Sequence, residues 1–211
     1  MTRHEERRFG VAMVVSGPSG TGKTTACRQL LQRESGLRFS VSCTTRPSRE
    51  GEVDGRDYWF LDEARFRAKL QGSSFLEHAE VHGCRYGTLR REVEEPVAAG
   101  RDVLLDIDVE GARQVRRNTE NTSLAGLVVY VFFAPPSLRE VERRLRGRGT
   151  EGETVLARRL GNARAELAVW RNYDYLVVNQ DLTRAVDDLQ AILRASRCLV
   201  ATCREEPWQG D

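Results

Sequence analysis

The sequence predicts an α/β fold with a mainly parallel sheet. Three observations carry that expectation. Short apolar runs alternate with segments of helical periodicity along most of the 211 residues. Several of those runs, such as VAMVVS, DVLLDID and GLVVYVFF, are nearly continuously apolar, as strands buried on both faces are. A glycine-rich stretch, GPSGTGKT, lies between the first run and the first helical segment.

Taken in order, Val11 to Ser16 reads as the first strand and Lys23 to about Glu34 as the first helix. RFSVS, Arg38 to Ser42, is a second strand. Ser42 to Phe60, SCTTRPSREGEVDGRDYWF, has no helical spacing and alternates only at its end. Aperiodic stretches of this length in compact domains are functional or disordered. DEARFRAKLQ reads as a short helix opened by Asp62 and stopped near Gly72. FLEHAEV alternates as a half-buried strand, and LRREVEEPVAAG reads as a helix in spite of Pro96, ending at Gly100. DVLLDID is a buried strand with acids at its C-terminal end, followed by a helix in VEGARQVRR and the strand GLVVYVFF. SLREVERRLRGRG and ETVLARRLGNARAELAVW are helices separated by glycines. YLVV is the last strand, a helix follows from about Leu182 to Ala201, and the tail CREEPWQGD reads as frayed. The stretch from Cys43 to Arg90 reads as an inserted α+β piece.

The totals exclude several classes of function. A composition of 40% hydrophobic and 30% charged residues is that of a soluble globular protein. No apolar run approaches a membrane span of ~18 residues, and the charged start MTRHEERRFG lacks the core of a signal peptide. A cytoplasmic location follows as the expectation, and with it the NTS at Asn121 is not read as a glycosylation site. A net charge of +2 without an aromatic–basic platform argues against nucleic acid. Five cysteines without a CxxC pair, and three scattered histidines, predict reduced thiols and no zinc site. Against 31 arginines there are two lysines, Lys23 and Lys69, so a lysine that has been kept marks a place for a compact charge.

GPSGTGKT, Gly17 to Thr24, fits G-x-x-x-x-G-K-[ST] in the strand–helix context that this phosphate-binding loop requires. Its expected ATP-binding residues are Gly17, Pro18, Ser19, Gly20, Thr21 and Gly22. All but Pro18 carry a backbone N–H that can face a phosphate, and the following helix adds its positive end. Lys23 is expected on the β- and γ-phosphates, Thr24 on Mg²⁺ and Thr25 at the rim of the same ATP site. A companion acid is expected at the end of a neighbouring buried strand, where Asp106 and Asp108 stand; Asp108 alternatively opens a helix. From Arg139 to Arg164 the chain has eight arginines and four glutamates broken by glycines, the composition of a charged lid or of an ion-paired helical surface. Arg46 and Arg49 flank Pro47 and suit a second phosphate. Tyr58 can add a phenol. Guanine offers N–H donors side by side at N1 and the 2-amino group, which one carboxylate such as Glu77 can accept, with hydroxyls such as Ser42 and Thr88 on its remaining polar edge.

On the blocks VVSGPSGTGKTT, FSVSCTTRPSREGEVDGRDYWF, FLEHAEV, RYGT, DVLLDID, FFAPPS, RLRGRGTEGE, ARAEL and VVNQDL, the chain from about Val11 to Ala201 resembles the guanylate kinases. The resemblance implies a P-loop NTPase fold and transfer of the ATP γ-phosphate to GMP, and by extension dGMP, with Mg²⁺. It implies a core (1–42, 91–137 and 161–211), a GMP-binding region (43–90) and a lid (138–160). It places Ser42, Glu77 and Thr88 on guanine, Arg46, Arg49, Tyr58 and Tyr86 on the GMP phosphate, and Gly87 in the GMP site. It places Asp106 and Asp108 near metal and guanine, Arg144, Arg148 and Arg159 at the transfer site, and Asn179 near adenine. Cys43, and Cys84–Arg85, depart from the residues common in that family. The rival readings are a peptide-binding scaffold domain, which the intact phosphate loop disfavours, and a kinase for a different phosphorylated small molecule. Monomer and homodimer both remain open.

Overall fold

The computed structural model describes residues 8–81, 83–146 and 153–206. Its centre is a five-stranded, all-parallel sheet. The strands are β1 (Ala12–Ser16), β2 (Leu37–Phe39), β7 (Asp102–Asp106), β8 (Val128–Ala134) and β9 (Tyr175–Val178), in the order β2-β7-β1-β8-β9. Between β2 and β7 the chain builds a second sheet from β3 (Cys43–Thr44), β4 (Trp59–Phe60), β5 (Phe75–Val81) and β6 (Cys84–Leu89), in the order β4-β3-β6-β5.

Period-two alternation explains why β1 must lie in the middle. Met13 and Val15 point to one face, where α1 (Lys23–Arg33) and α7 (Leu182–Ser196) bring Leu30, Val186, Leu189 and Leu193. Ala12 and Val14 point to the other, covered by α3 (Arg91–Ala98) and α4 (Val109–Thr119) through Val93, Val97, Ala112 and Val115. Both faces are buried, so the strand reads as a continuous apolar run. Pro96 cannot donate to the Glu92 carbonyl, and α3 ends two residues later. The second sheet has its own core, where Phe75 stacks on Phe66 of α2 (Glu63–Gln71) at 4.6 Å. Asp62 caps that helix by accepting from the Arg65 N–H. Helices α5 (Leu138–Arg146) and α6 (Glu153–Leu167) pack on each other through Val141 and Ala163.

Several boundaries differ from the sequence expectation. RFSVS does not form one strand: the chain leaves the main sheet after Phe39, and Cys43–Thr44 pairs in the second sheet instead. The last helix stops at Ser196 rather than Ala201, and a 3₁₀ turn follows at Val200–Thr202. Of the tail that the sequence predicts to be frayed, residues 207–211 lie outside the described residues, and its first two residues are held. Cys203 bridges to Arg8, and the Arg204 guanidinium donates to the Ala98 carbonyl and lies 4.6 Å from the Phe9 ring centroid. No helix among the described residues is long and apolar enough to cross a membrane.

Candidate active site

The site lies at the C-terminal ends of the parallel strands, where open α/β sheets hold ligands. The chain leaves β1 into the loop Gly17–Gly22 and re-enters order as α1 at Lys23. Two glycines are dictated by contact and by backbone angle. Gly17 has φ 151°, and a Cβ there would stand 2.2 Å from the Phe133 carbonyl oxygen. Gly22 has φ 91°, and a Cβ there would stand 2.6 Å from Asn179 Nδ2. Gly17, Pro18, Ser19, Gly20 and Gly22 line a cavity of about 380 Å³ together with Lys23, Thr24, Thr25, Asp108 and Glu166. Thr21 is the exception within the loop. Its side chain is buried and donates to the Pro18 carbonyl at 3.0 Å.

Two residues expected at the nucleotide grip the loop's backbone. The Thr21 carbonyl accepts from Asn179 Nδ2 at 2.7 Å and from Arg144 Nη1 at 2.8 Å. Glu140 Oε1 accepts from Arg144 Nε at 2.6 Å and orients the guanidinium. Arg159 is half-buried on α6, and Arg148 lies outside the described residues. Tyr173 donates to Ser16 Oγ at 3.0 Å, tying the last residue of β1 to the chain before β9.

Asp106 ends β7, the neighbour of β1, and so reaches the start of α1. One of its oxygens takes the Lys23 ammonium, and the other accepts from the Thr24 hydroxyl at 2.8 Å. Lys23 also donates to the Ile107 carbonyl at 2.8 Å. A hydroxyl and a carboxylate in contact beside a phosphate loop are hard oxygen donors that fit Mg²⁺. That ion takes one or two protein oxygens and completes its shell with phosphates and water. Asp108 caps α4, accepting from the Gly111 N–H at 2.7 Å, the helix-opening role that the sequence left open for it, and it also lines the cavity at the phosphate loop.

A second, larger cleft of about 790 Å³ opens beside the first. It is bounded by Ser42, Arg46, Arg49, Tyr58 and Tyr86 on the second sheet and its loop, and by Lys23, Thr24, Asp106 and Asp108 on the core. Lys23, Thr24 and Asp108 thus belong to both cavities. The Tyr58 and Tyr86 rings meet edge-on at 6.1 Å, and the Arg46 guanidinium lies 5.4 Å from the Tyr58 centroid. Burial, then the neighbouring Tyr86, pushes the Tyr58 phenol up.

Glu77 and Thr88 are buried, with Glu77 close to Asp108, and neither is among the residues that line this cleft. The Thr88 hydroxyl donates to Glu77 Oε1 at 2.6 Å. Burial raises the Glu77 pKa, and Asp108 adds to it. Gly87 is a packing residue here: a Cβ on it would stand 2.9 Å from the Phe75 ring.

The loop from Thr45 to Tyr58 is ordered by its own polar side chains. Thr44 accepts from the Arg46 N–H, Glu52 from the Arg49 N–H, Asp57 from the Val53 N–H and Asp54 from the Phe60 N–H. The residues that gave the sequence its aperiodic look are the ones that fold it.

Sequence reasoning missed Glu52, Arg28 and Glu166. Glu52 and Arg28 line the second cleft, and nothing in their spacing distinguishes them from surface charges. Glu166 faces the phosphate loop from α6, and burial, followed by Asp108, raises its pKa while Lys23 opposes the rise. Its signal was available in ARAEL, one of the blocks that carry the resemblance.

Comparison with known proteins agrees with this geometry. The family model described as guanylate kinase matches residues 10–196. The guanylate kinase of Syntrophotalea carbinolica is 46% identical over 202 residues, covering 95% of this chain and 92% of its own. That of Dechloromonas aromatica is 48% identical over 187 residues, covering 89% and 90%. The crystal structure of guanylate kinase from Anaplasma phagocytophilum superposes with a TM-score of 0.72 at 33% identity, covering 94% of this chain and 92% of that one.

Proposed function

The chain belongs to the guanylate kinase family and is a nucleoside monophosphate kinase; from that premise we propose the Mg²⁺-dependent transfer of the ATP γ-phosphate to GMP, with dGMP as a second acceptor. The observation that carries the reading is the junction of the two cavities at Lys23, Thr24 and Asp108. Donor phosphates held by the glycine loop and an acceptor phosphate held by Arg46, Arg49, Tyr58 and Tyr86 meet there.

In this reading the N–H groups of the loop, those of Ser19 and Gly20 among them, and Lys23 hold the β- and γ-phosphates. Asn179 and Arg144 keep the loop in shape through the Thr21 carbonyl. Glu77, kept in place by Thr88, accepts the guanine N1 and 2-amino protons, whereas adenine would present an acceptor to it. An oxygen of the GMP phosphate attacks the γ-phosphorus in line. The new P–O bond forms as the bond to the bridging oxygen of ADP breaks. The GMP phosphate is mostly dianionic at neutral pH, its second pKa being near ~6, so no side chain has to remove a proton. Thr24 and Asp106 would hold Mg²⁺, which neutralises charge on the phosphate oxygens when bound. Closure of the region 43–90 over the core would exclude water; the lid expected at 138–160 lies partly outside the described residues.

An ADP-release assay with ATP, Mg²⁺ and each of AMP, GMP, CMP and UMP tests the proposal. Turnover with GMP and nearly none with AMP is expected; the absence of GMP-dependent ADP release overturns it. Lys23→Ala should abolish transfer while calorimetry still detects GMP binding. Glu77→Gln should weaken GMP binding about 10- to 100-fold, the range for hydrogen bonds to a charged group, and leave ATP binding unchanged.

A further inference from the structure

The loop between β3 and β4 contains a carboxylate that the reaction above leaves without a role. Glu52 lines the acceptor cleft and has both oxygens on one arginine. Arg46 Nη1 donates to Oε2 at 3.0 Å and Arg46 Nη2 to Oε1 at 2.9 Å. Oε2 also accepts from the Arg49 backbone N–H at 2.7 Å. Arg46 Nη1 donates in addition to the Pro47 carbonyl at 2.6 Å.

A guanidinium has two edges able to hold an oxyanion with paired N–H groups, Nη1/Nη2 and Nε/Nη2. Glu52 takes the first. The guanidinium is further seated 5.4 Å from the Tyr58 centroid and 5.8 Å from the Phe60 centroid. Tyr86 also hydrogen-bonds this guanidinium, so the direction of its one remaining paired edge is fixed. The bond from Arg46, then the Arg49 N–H, lowers the Glu52 pKa, so the carboxylate remains charged throughout the neutral range.

We propose that Glu52 is a positioning residue for acceptor phosphorylation: it holds Arg46 so that the Nε/Nη2 edge addresses the acceptor phosphate, and it sets Arg49 in the same turn. The proposal deepens the GMP reading and rests on it. It also assigns different tasks to the two arginines. Arg46, paired with Glu52, contributes direction, and Arg49, whose side chain is not paired with that carboxylate, supplies the attraction for the dianion.

Glu52→Gln separates the contacts of the two carboxylate oxygens. The amide oxygen can still accept from the Arg49 N–H and from Arg46 Nη1, while the NH₂ group confronts Arg46 Nη2. The expected result is a fall of at least about tenfold in kcat/KM for GMP, carried by KM, with KM for ATP and the thermal melt unchanged. In an Arg46→Ala background the same substitution should change GMP binding, measured by calorimetry, by less than about twofold, because residues acting through one another are not additive. An unchanged kcat/KM in the single variant overturns the proposal. So does an equal loss in both backgrounds, which would mean that Glu52 acts on the loop without Arg46. Absence of GMP binding to the unmodified protein would defeat the acceptor assignment itself, which is a separate outcome.

Discussion

Gly111 sits in the first turn of α4 between two acids that the proposed chemistry uses. A Cβ there would lie 3.2 Å from Glu77 Oε2 and 3.3 Å from Asp108 Oδ1. These separations are tight, and the Glu77 carboxylate, which also holds the Thr88 hydroxyl at 2.6 Å, would have to give way. Gly111→Ala should therefore lower kcat/KM for GMP by about tenfold, a modest cost for misplacing the group proposed to bind guanine, without altering KM for ATP. Steady-state kinetics with each substrate varied in turn checks it; equal effects on both would place the disturbance elsewhere. At this scale the sequence was legible where a residue type is demanding. Lys23 stood out because only two lysines exist, and Gly17 and Gly22 because the loop pattern requires them. Glu52 was not legible by its spacing, and Glu166 only through the block ARAEL. An acid acquires a meaning from the partner it faces, and those partners are Arg46 within a folded loop and a phosphate loop more than a hundred residues away.

The second sheet presents β5 as an edge, and α4 closes it. Gln114 imitates a neighbouring strand: its amide oxygen accepts from the His78 N–H and its NH₂ group donates to the His78 carbonyl, both at 3.1 Å. One turn later Asn118 donates to the Leu76 carbonyl at 2.8 Å. Side chains four apart on one helix face thus pair with backbone groups two apart on the strand. The seam joins the acceptor side of the cleft to the core through the same helix whose first residues flank Asp108. Gln114→Ala should unprotect the His78 amide, which hydrogen exchange reads directly, and cost about 1 kcal/mol in a urea titration. Unchanged exchange at His78 would show that the seam does not depend on this side chain. Strands and helices of the main sheet were legible because their apolar periods are local. β3 and β4, two residues each, were not, because their pairing joins Cys43–Thr44 to Trp59–Phe60 and to Tyr86–Gly87 across the chain. The same reason explains why RFSVS read as one strand.

At the scale of the molecule, ligand chemistry and charge burial occupy opposite poles of the main sheet. Asp106, at the C-terminal end of β7, serves the site; Asp102, at its start, is buried among cations. Arg8 holds Asp102 with two N–H groups at 2.8 and 3.1 Å, Arg197 Nε reaches it at 2.8 Å, and the Val11 N–H donates to it at 3.0 Å. Arg197 continues to Glu34 at 2.9 Å, which also accepts from Gln190 at 2.6 Å. This cluster fastens Arg8 and the C-terminal end of α7 to the sheet. Burial by itself would raise the Asp102 pKa, but the bonds from Arg8, the Val11 N–H and Arg197 outweigh it and hold the group below its usual range. The sign follows from linkage. With the folded-state pKa depressed, the unfolded chain binds the proton more readily. The stabilisation is therefore complete above the unfolded value of about 3.9, and it is lost as pH falls through the folded one. Asp102→Asn removes the charge and leaves two guanidiniums facing a neutral amide, a loss of about 3 kcal/mol at neutral pH for a broken buried pair. For a domain of this size that corresponds to a fall of about 6–12 °C in Tm. Calorimetry across pH 3–7 separates the two parts of the expectation, since the variant should melt lower at neutral pH and lose less than the parent on acidification below about pH 4. Parallel melting curves across that range would show that Asp102 is not the group through which acid loosens this cluster.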